Sequence, residues 1–333
     1  MTKRNLLICF DAFGTLFKPK RPVEEQYTTI ARRHFGLRGF DASDVRASFR
    51  KAFKASAETH PNFGKEVGMG ATWWWTNVIN NTFQPLMPDK AIVPPGLAPA
   101  LLHRFSSSEG YTVPAPGLRT LLQTLKSRDM CQKQFDQIVV GVVTNSDDRV
   151  PLILESFGLK VSPLRFGSPP RSVIKDKEYD VDFHCISYDV GAEKPDRRIF
   201  DAAEEMARTV CRARNRQAAA AGVDDKWLKL FVGDELATDV VGALGAGWHS
   251  VFLVQQQGKI MDDANIMDEV AEQFYGRARC MVDLDQIYHD EKEERAVADV
   301  FPVDGKPVSA RTSSLWAFVW WFAADGKRAH MWH

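Results

Sequence analysis

The stretch from Asn5 to Phe17 places the strongest constraint on how this chain can fold. Residues 6–10 are apolar without interruption, which is typical of a strand buried on both faces of a parallel sheet. Asp11 follows at the carboxyl end of that strand, and Gly14 allows the backbone to turn sharply directly after it. Because open α/β sheets bind ligands outside the carboxyl ends of their strands, we expect Asp11 to lie where chemistry occurs. An aspartate that only begins a turn is the alternative.

Composition and charge narrow the class of protein. The chain has 333 residues, enough for one large domain or two smaller ones. Lysine plus arginine equals aspartate plus glutamate at 43 each, so neither a nucleic acid nor an anionic membrane is predicted as a partner. No signal peptide and no apolar run of about 18 residues is found, and the scattered cysteines predict buried thiols in a reducing compartment. We expect a cytoplasmic protein, with the nucleus as the alternative.

Periodic patterns predict an α/β fold built on a doubly wound parallel sheet. Apolar runs that read as strands recur, with helical patterns between them, at residues 137–144, 183–189, 228–234 and 250–254. The long interruption after the first strand is mostly helical and large enough to form a small domain of its own. The predicted organisation therefore has three parts. Residues 1–17 and 113–290 form an α/β core, and residues 18–112 form a helical insert. Residues 291–333 form a C-terminal extension that is disordered in part or docked on the core.

Three consecutive tryptophans mark the helical insert, at Trp73, Trp74 and Trp75. Successive residues of a helix point about 100° apart, so one helix face cannot bury all three side chains. At least one tryptophan is therefore predicted to pack against another domain or subunit, and a homo-oligomer formed through this insert is left open. Packing within the core of the insert is the alternative for each of them.

Polar residues follow several of the predicted strands at the same end. Because parallel strands end at one edge of a sheet, we expect these residues to converge: Asp11, Thr144, Lys194, Asp234 and Asp239. Clustered carboxylates repel one another unless a cation lies among them, and Mg²⁺ prefers such oxygen ligands. A lysine adds positive charge, and a threonine hydroxyl adds a hydrogen-bond donor. Together these groups predict a receptor for a phosphoryl group.

Four short motifs contain these residues: Asp-x-x-Gly-Thr-Leu, Val-Thr-Asn-Ser, Glu-Lys-Pro-Asp and Gly-Asp-Glu-x-x-x-Asp-x-x-Gly-Ala. Their order and spacing resemble the four motifs of the haloacid dehalogenase (HAD) superfamily over most of residues 5 to 255. The resemblance implies a HAD-like Rossmannoid fold. It also implies that the helical insert after the first strand is a cap domain, which closes over the site and selects the substrate.

The resemblance implies a role for each matching residue of the site. Asp11 would be the nucleophile that forms an aspartyl intermediate. Thr144 would hydrogen-bond the transferring group, and Lys194 would offset the charge of nucleophile and phosphate. Thr15 and Asn145 would contribute to binding of the phosphate. The alternative for the lysine is an ordinary surface side chain.

A magnesium site is implied by the same resemblance. Its ligands would be Asp11, the backbone carbonyl of Phe13, Asp234 and Asp239. Further candidate partners of Asp239 are a metal-bound water and Lys194. The alternative to these roles is that Asp239 is only an acid at the N-terminus of a helix, where the macrodipole favours negative charge. We expect no direct role for Glu235, which is predicted to face solvent.

Phe13 departs from the family pattern. Phosphatases of the family have an aspartate at this position, two residues after the nucleophile, whose carbonyl binds metal and whose side chain acts as acid and base. Phenylalanine keeps the carbonyl but loses the proton donor, a loss worth about 10²- to 10⁴-fold in rate.

Three functional hypotheses follow. The first is a Mg²⁺-dependent hydrolase of a small phosphorylated metabolite, which the acidic cluster around Asp234 favours. The second is a scaffold of little or no activity that binds a ligand or partner, which Phe13 and the tryptophan-rich insert favour. The third is a metal-independent 2-haloacid dehalogenase, since such relatives carry an aromatic residue at the position of Phe13.

Overall fold

The computed structural model describes most of the chain and divides it into two compact units. The first unit comprises residues 1–16, 114–144 and 159–333, and the second comprises 17–113 and 145–158. The described residues are 4–88, 91–114, 116–127, 135–169, 178–214, 227–254, 282–284, 300–301 and 306–323.

The first unit is built on a seven-stranded sheet in which every neighbouring pair of strands is parallel. Its strands are β1 (Arg4–Phe10), β4 (Phe135–Thr144), β5 (Phe183–Ile186), β6 (Trp227–Gly233), β7 (His249–Leu253), β8 (Val282–Asp283) and β9 (Ser309–Thr312). Their spatial order is β5-β4-β1-β6-β7-β9-β8. Strands are therefore added on both sides of β1, as predicted for a doubly wound sheet, although β9 inserts between β7 and the outer strand β8.

The position of β1 explains its uninterrupted apolar sequence. It pairs with β4 on one side and β6 on the other, and residues 6–10 are at most 1% exposed. Phe10 lies opposite both Val142 and Val232, so the carboxyl ends of β1, β4 and β6 lie side by side. Beyond the last paired residue, the backbone N–H of Asp11 donates to the carbonyl of Val232 at 2.9 Å. This bond fixes Asp11 at the carboxyl edge of the sheet.

Helices of the first unit cover the sheet with apolar faces. They are α6 (Leu118–Leu125), α8 (Ser187–Val190), α9 (Arg197–Arg214), α10 (Val241–Gly245) and α11 (Leu315–Ala323), with a π-helical turn at Leu236–Val240. The long α9 buries Phe200, Met206 and Val210 against sheet residues such as Phe183 and Phe231. Burial of a large apolar side chain stabilises the fold by about 1.5–3 kcal/mol, so this face is a major part of the core.

The second unit is mainly helical, as the sequence predicts for residues 18–112. Its elements are α1 (Val23–Phe35), α2 (Ala42–Thr59), α3 (Pro61–Gly64), α4 (Ala71–Phe83), α5 (Leu97–Arg104), α7 (Val150–Ser156) and the two-stranded antiparallel sheet of β2 (Lys18–Pro19) and β3 (Tyr111–Thr112). Asp41 begins α2 with a capping box, since its side chain accepts from the Ser43 and Asp44 amides while the Asp44 side chain accepts from its backbone N–H.

The three tryptophans of α4 have three different environments. Trp74 is buried, Trp75 is half-buried, and Trp73 is 53% exposed. Trp74 donates to the carbonyl of His60 at 2.9 Å, and its ring packs edge-on against that of Trp75. The prediction that one helix face cannot bury all three is confirmed. Homo-oligomer formation through this region stays a prediction.

Two further parts of the chain bear on the predicted organisation. Residues 145–158 fall within the predicted core but belong to the second unit, where the Ser156 hydroxyl accepts from the Ser108 amide at 2.6 Å. Of the predicted extension over residues 291–333, the structure describes 300–301 and 306–323. Here β9 lies within the sheet between β7 and β8, and α11 packs on α6. Among the described residues, no helix combines the length and apolar content needed to cross a bilayer.

Candidate active site

The candidate site lies at the carboxyl edge of the sheet in the first unit and is dominated by carboxylates. One carboxylate oxygen from each of Asp11, Asp234 and Asp239 lies within 4.8 Å of the other two. Asp11 follows β1, whereas the other two residues follow β6. The structure thus brings together carboxylates more than 220 residues apart in sequence, because both strands end at the same edge.

Lys194 lies between two of these carboxylates. Its Nζ donates to Oδ1 of Asp11 at 2.6 Å and to Oδ1 of Asp239 at 2.7 Å, and its side chain is 2% exposed. Burial alone would lower the pKa of Lys194, but the two carboxylates raise it above its ordinary value. The surface-lysine alternative is therefore wrong, since this cation is buried and fully engaged with the acidic cluster.

Asp11 itself is buried among charged and polar groups. Burial raises the pKa of its carboxyl group, and Lys194 opposes that shift. Asp239 adds to the rise, whereas hydrogen bonds from Lys194 and from the hydroxyl of Thr144 favour the charged form. Thr144 is 1% exposed at the end of β4. Lys194 and Thr144 thus both hydrogen-bond the Asp11 carboxylate, and their catalytic roles stay predictions.

Asp234 is held by a contact that the sequence analysis did not foresee. The hydroxyl of Thr15, which is fully buried, donates to Oδ1 of Asp234 at 3.0 Å. Burial raises the pKa of Asp234 to about 7, and the charge of Asp11 adds to this rise, while the Thr15 hydrogen bond opposes it. In this structure Thr15 therefore orients Asp234. Its predicted contact with phosphate stays a prediction.

Both carboxylate oxygens of Asp239 accept hydrogen bonds from other groups of the protein. Oδ1 accepts from Lys194, and Oδ2 accepts from the backbone N–H of Glu235 at 2.9 Å. Asp239 is fully buried in the π-helical turn, whereas Glu235 is exposed as predicted. These contacts show that Asp239 holds Lys194, one of the partners considered for it from the sequence. Each oxygen of the carboxylate has a second lone pair, so a direct metal bond from Asp239 stays a prediction.

Two glycines keep the backbone close to these carboxylates. Gly14 has a φ of +86°, and a Cβ atom at this residue would lie 2.0 Å from Oδ2 of Asp234. A Cβ atom at Gly233 would lie 2.2 Å from Oδ2 of Asp239. Neither distance is compatible with a side chain, so the packing of the acidic cluster requires glycine at both positions, and the left-handed backbone conformation is a second reason at Gly14.

The remaining predicted residues are Phe13 and Asn145. Phe13 is half-buried in the turn that follows Asp11, so its carbonyl belongs to the same loop as the Asp11 carboxylate. Asn145 directly follows Thr144 but begins the second segment of the second unit. Its predicted contact with phosphate stays a prediction.

Family comparison agrees with the fold and with the residues gathered at this edge. A family model described as haloacid dehalogenase-like hydrolase matches residues 6–247, which include every carboxylate of the cluster and Lys194. The chain belongs to the HAD-like hydrolase family. The site therefore belongs to a hydrolase whose fold is the α/β Rossmann-like HAD fold.

Several curated proteins are similar to this chain over most of their length. Haloacid dehalogenase-like hydrolase domain-containing protein 3 of Mus musculus is 31% identical over 268 residues, which cover 80% of this chain and 88% of the mouse protein. An uncharacterised hydrolase of Schizosaccharomyces pombe is 28% identical over 246 residues, covering 74% of this chain and 89% of the yeast protein. A HAD phosphatase structure from Thermococcus onnurineus matches with 19% identity and a TM-score of 0.41 over 77% of this chain and 88% of the archaeal chain. A likeness this loose does not distinguish one activity from another.

Proposed function

We propose that this protein is a Mg²⁺-dependent phosphoester hydrolase that acts on a small phosphorylated metabolite through an aspartyl intermediate on Asp11. The observation that carries this proposal is the cluster of three carboxylates within 4.8 Å of one another around a single buried lysine. One lysine offsets only part of that negative charge. A divalent cation together with a phosphoryl group would complete the charge balance of such a site.

Asp11 is suited to act as the nucleophile. Its carboxylate would attack the phosphorus atom while the bond from phosphorus to the ester oxygen breaks, which gives an aspartyl phosphate and an alkoxide or phenoxide that takes a proton from water. Water then attacks the same phosphorus, and this step releases phosphate and regenerates the carboxylate. Lys194 would orient Asp11 through the bond of 2.6 Å and offset the charge of the phosphoryl oxygens.

The donors present fit a hard divalent cation. Asp11 and Asp234 would provide carboxylate oxygens, and Phe13 would provide its backbone carbonyl, in the oxygen-only environment that Mg²⁺ prefers. When bound, the ion would neutralise charge on the phosphoryl group. Asp239, whose oxygens bond Lys194 and the Glu235 amide, would act by holding the lysine and through a metal-bound water.

The Gly14→Ala variant is expected to weaken Mg²⁺ binding about 10- to 100-fold, the range typical when support of a metal ligand is lost. The added methyl group would occupy space within 2.0 Å of Oδ2 of Asp234 and displace that carboxylate. Calorimetric titration with Mg²⁺ measures this effect without substrate.

The matched control is Gly247→Ala. Gly247 has nearly the same φ, +83°, but no atom lies within 4 Å of the position that a Cβ atom would occupy there. Both variants should lose about 1–2 kcal/mol of unfolding free energy from left-handed backbone strain. Equal Mg²⁺ affinity in the two variants would show that Gly14 does not support the metal site.

Phe13 limits the leaving groups that the site can handle. Without an acid side chain at this position, the departing ester oxygen receives no proton from residue 13, so aryl and other stable leaving groups should react faster than alkyl ones. The same aromatic residue is the observation that favours the dehalogenase hypothesis, because halide leaves without a proton. The carboxylate cluster argues against it, since a metal-independent reaction does not need two further carboxylates, Asp234 and Asp239, beside the nucleophile.

Hydrolysis of phenyl phosphate with and without Mg²⁺ tests the proposed function. We expect turnover in Mg²⁺ and its loss when the ion is removed with a chelator. Release of chloride from 2-chloropropionate in the presence of chelator would instead support the dehalogenase hypothesis. The absence of turnover with aryl and alkyl phosphates in Mg²⁺ would support the scaffold hypothesis.

A further inference from the structure

Arg149 and Asp147 form a buried ion pair in the second unit that the proposed chemistry does not use. Asp147 is fully buried, and its Oδ1 and Oδ2 accept from Nε of Arg149 at 2.8 Å and from Nη2 at 2.7 Å. Oδ1 also accepts from the backbone N–H of Arg149 at 3.0 Å. The carboxylate therefore takes one complete edge of the guanidinium and fixes its plane.

Trp75 fixes the guanidinium from a second direction. The central carbon of the Arg149 guanidinium lies 4.6 Å from the centroid of the Trp75 ring, in a cation–π contact. The indole N–H of Trp75 donates to Oδ2 of Asp147 at 2.6 Å, so the ring that supports the arginine is held by the same carboxylate. Two side chains from separate stretches of sequence, Asp147 and Trp75, thus hold one cation in a defined orientation.

The opposite edge of the guanidinium remains available. Arg149 has five N–H donors, and Nη1 has no hydrogen-bond partner among the described residues. The Arg149 side chain is 17% exposed. Its Nη1 atom is not fully buried. The solvent-exposed part of the side chain therefore includes Nη1, at the edge formed by Nη1 and Nη2. That edge can donate two parallel bonds to a carboxylate or phosphate.

A second Asp-x-Arg ion pair in the chain shows that this spacing alone neither buries the carboxylate nor places an aromatic ring over the arginine. Asp196 and Arg198 have the same spacing and use the same three donors of the arginine, the backbone N–H, Nε and Nη2, although Nε and Nη2 both donate to Oδ2 of Asp196. Their side chains are 39% and 69% exposed, and no aromatic ring of the described part of the chain lies over Arg198. The first pair differs in having its carboxylate buried and its cation supported by a ring.

We propose that Arg149, held by Asp147 and Trp75, is a receptor for a carboxylate or phosphate group of a small anionic ligand. The fixed guanidinium loses little conformational entropy on binding, because its plane and position are already set. The ligand that carries this group is either a substrate of the enzyme or an anion that is not hydrolysed. Binding at Arg149 does not depend on the proposed hydrolysis and can be measured without it.

Nuclear magnetic resonance of the tryptophan indole N–H groups tests the receptor directly. The Trp75 signal is assigned as the one lost in Trp75→Phe. Malonate and inorganic phosphate are titrated in Mg²⁺-free buffer at constant ionic strength, with chloride as the reference salt. We expect a saturable shift of the Trp75 signal with at least one probe. A Trp75 signal that moves with neither probe beyond the chloride reference would overturn the proposal.

Two variants separate ligand binding from structural support. Arg149→Lys keeps the charge and can still pair with Asp147, but it lacks the second edge, so probe affinity should fall about tenfold or more. Arg198→Lys changes the exposed pair and should leave affinity unchanged. Unchanged probe affinity in Arg149→Lys would contradict the proposal. The dispersion of the other indole signals reports whether each variant is folded.

Competition then identifies the source of the anion. If the binding probe raises the KM for phenyl phosphate in the wild-type enzyme and this effect is lost in Arg149→Lys, the receptor takes part of the substrate. If KM is unchanged while the Trp75 signal saturates, the receptor takes a separate anion. Both outcomes require binding at Arg149, and failure of hydrolysis alone leaves the spectroscopic result intact.

Discussion

The Asp11→Asn variant is expected to hydrolyse phenyl phosphate at least about 10⁴-fold more slowly than the wild-type protein, as is typical when a nucleophile is removed. An amide oxygen is a poor nucleophile, so the covalent step would be lost. The fold should persist, because Lys194 keeps its bond of 2.7 Å to Asp239 and a buried carboxylate with a raised pKa has been removed. Steady-state kinetics in saturating Mg²⁺ gives the measurement.

The control for this variant is Asp201→Asn on α9. Asp201 is 52% exposed and pairs with Arg197 one helical turn away, an interaction worth only about 0.3–0.5 kcal/mol. It should keep wild-type activity. If Asp11→Asn retains more than about a hundredth of the wild-type rate, general-base or electrostatic roles would explain Asp11 better than nucleophilic attack.

The Phe13→Asp variant is expected to gain activity, by about 10²- to 10⁴-fold on an alkyl phosphate such as glycerol 3-phosphate. An aspartic acid at this position would supply the proton that the departing alkoxide lacks. The gain on an aryl phosphate with a good leaving group should be much smaller, since that group needs little protonation. The ratio of the two gains therefore measures acid catalysis by residue 13.

Phe13→Asn provides the matched control for this gain. Asparagine has the same shape as aspartic acid and keeps the backbone carbonyl, but it cannot deliver the proton. We expect no selective gain on the alkyl substrate. Equal gains in the two variants would mean that removing the phenylalanine ring, and not adding an acid, accelerates the reaction.

The fold of the first unit followed from local sequence signals. The apolar run of β1 and the repeated apolar runs of β4, β6 and β7 predict central strands, because only strands covered on both faces lack polar alternation. The strand β9 gave no such signal. Its four residues, Ser309–Thr312, are short and mixed in polarity, and its place beside β7 depends on pairing across more than fifty residues of sequence.

The candidate site was predictable where residues sit at strand ends. Asp11, Thr144 and Asp234 each follow or end a strand, so parallel pairing alone brings them to one edge. The partners within the cluster were not predictable in the same way. The bond from Thr15 to Asp234 depends on a rotamer inside a tight turn, and the bond from Lys194 to Asp239 depends on how a π-helical turn follows β6.

The interaction of Trp75 with Arg149 shows a further limit of sequence analysis. The tryptophan was noted as one of three in a helix, and the arginine had no signal of its own. Their contact joins residues 74 positions apart through Asp147, a carboxylate buried by the second unit. Such a contact requires tertiary structure, because neither spacing nor periodicity links the two stretches.

The central claim is that Asp11 attacks phosphorus, and mass spectrometry of the protein quenched with acid during turnover of phenyl phosphate tests it most directly. We predict a phosphoryl adduct on the peptide that contains Asp11, formed only with Mg²⁺ and absent from Asp11→Asn. Turnover at the full wild-type rate with no adduct on that peptide, or with an adduct on another residue, would contradict the claim.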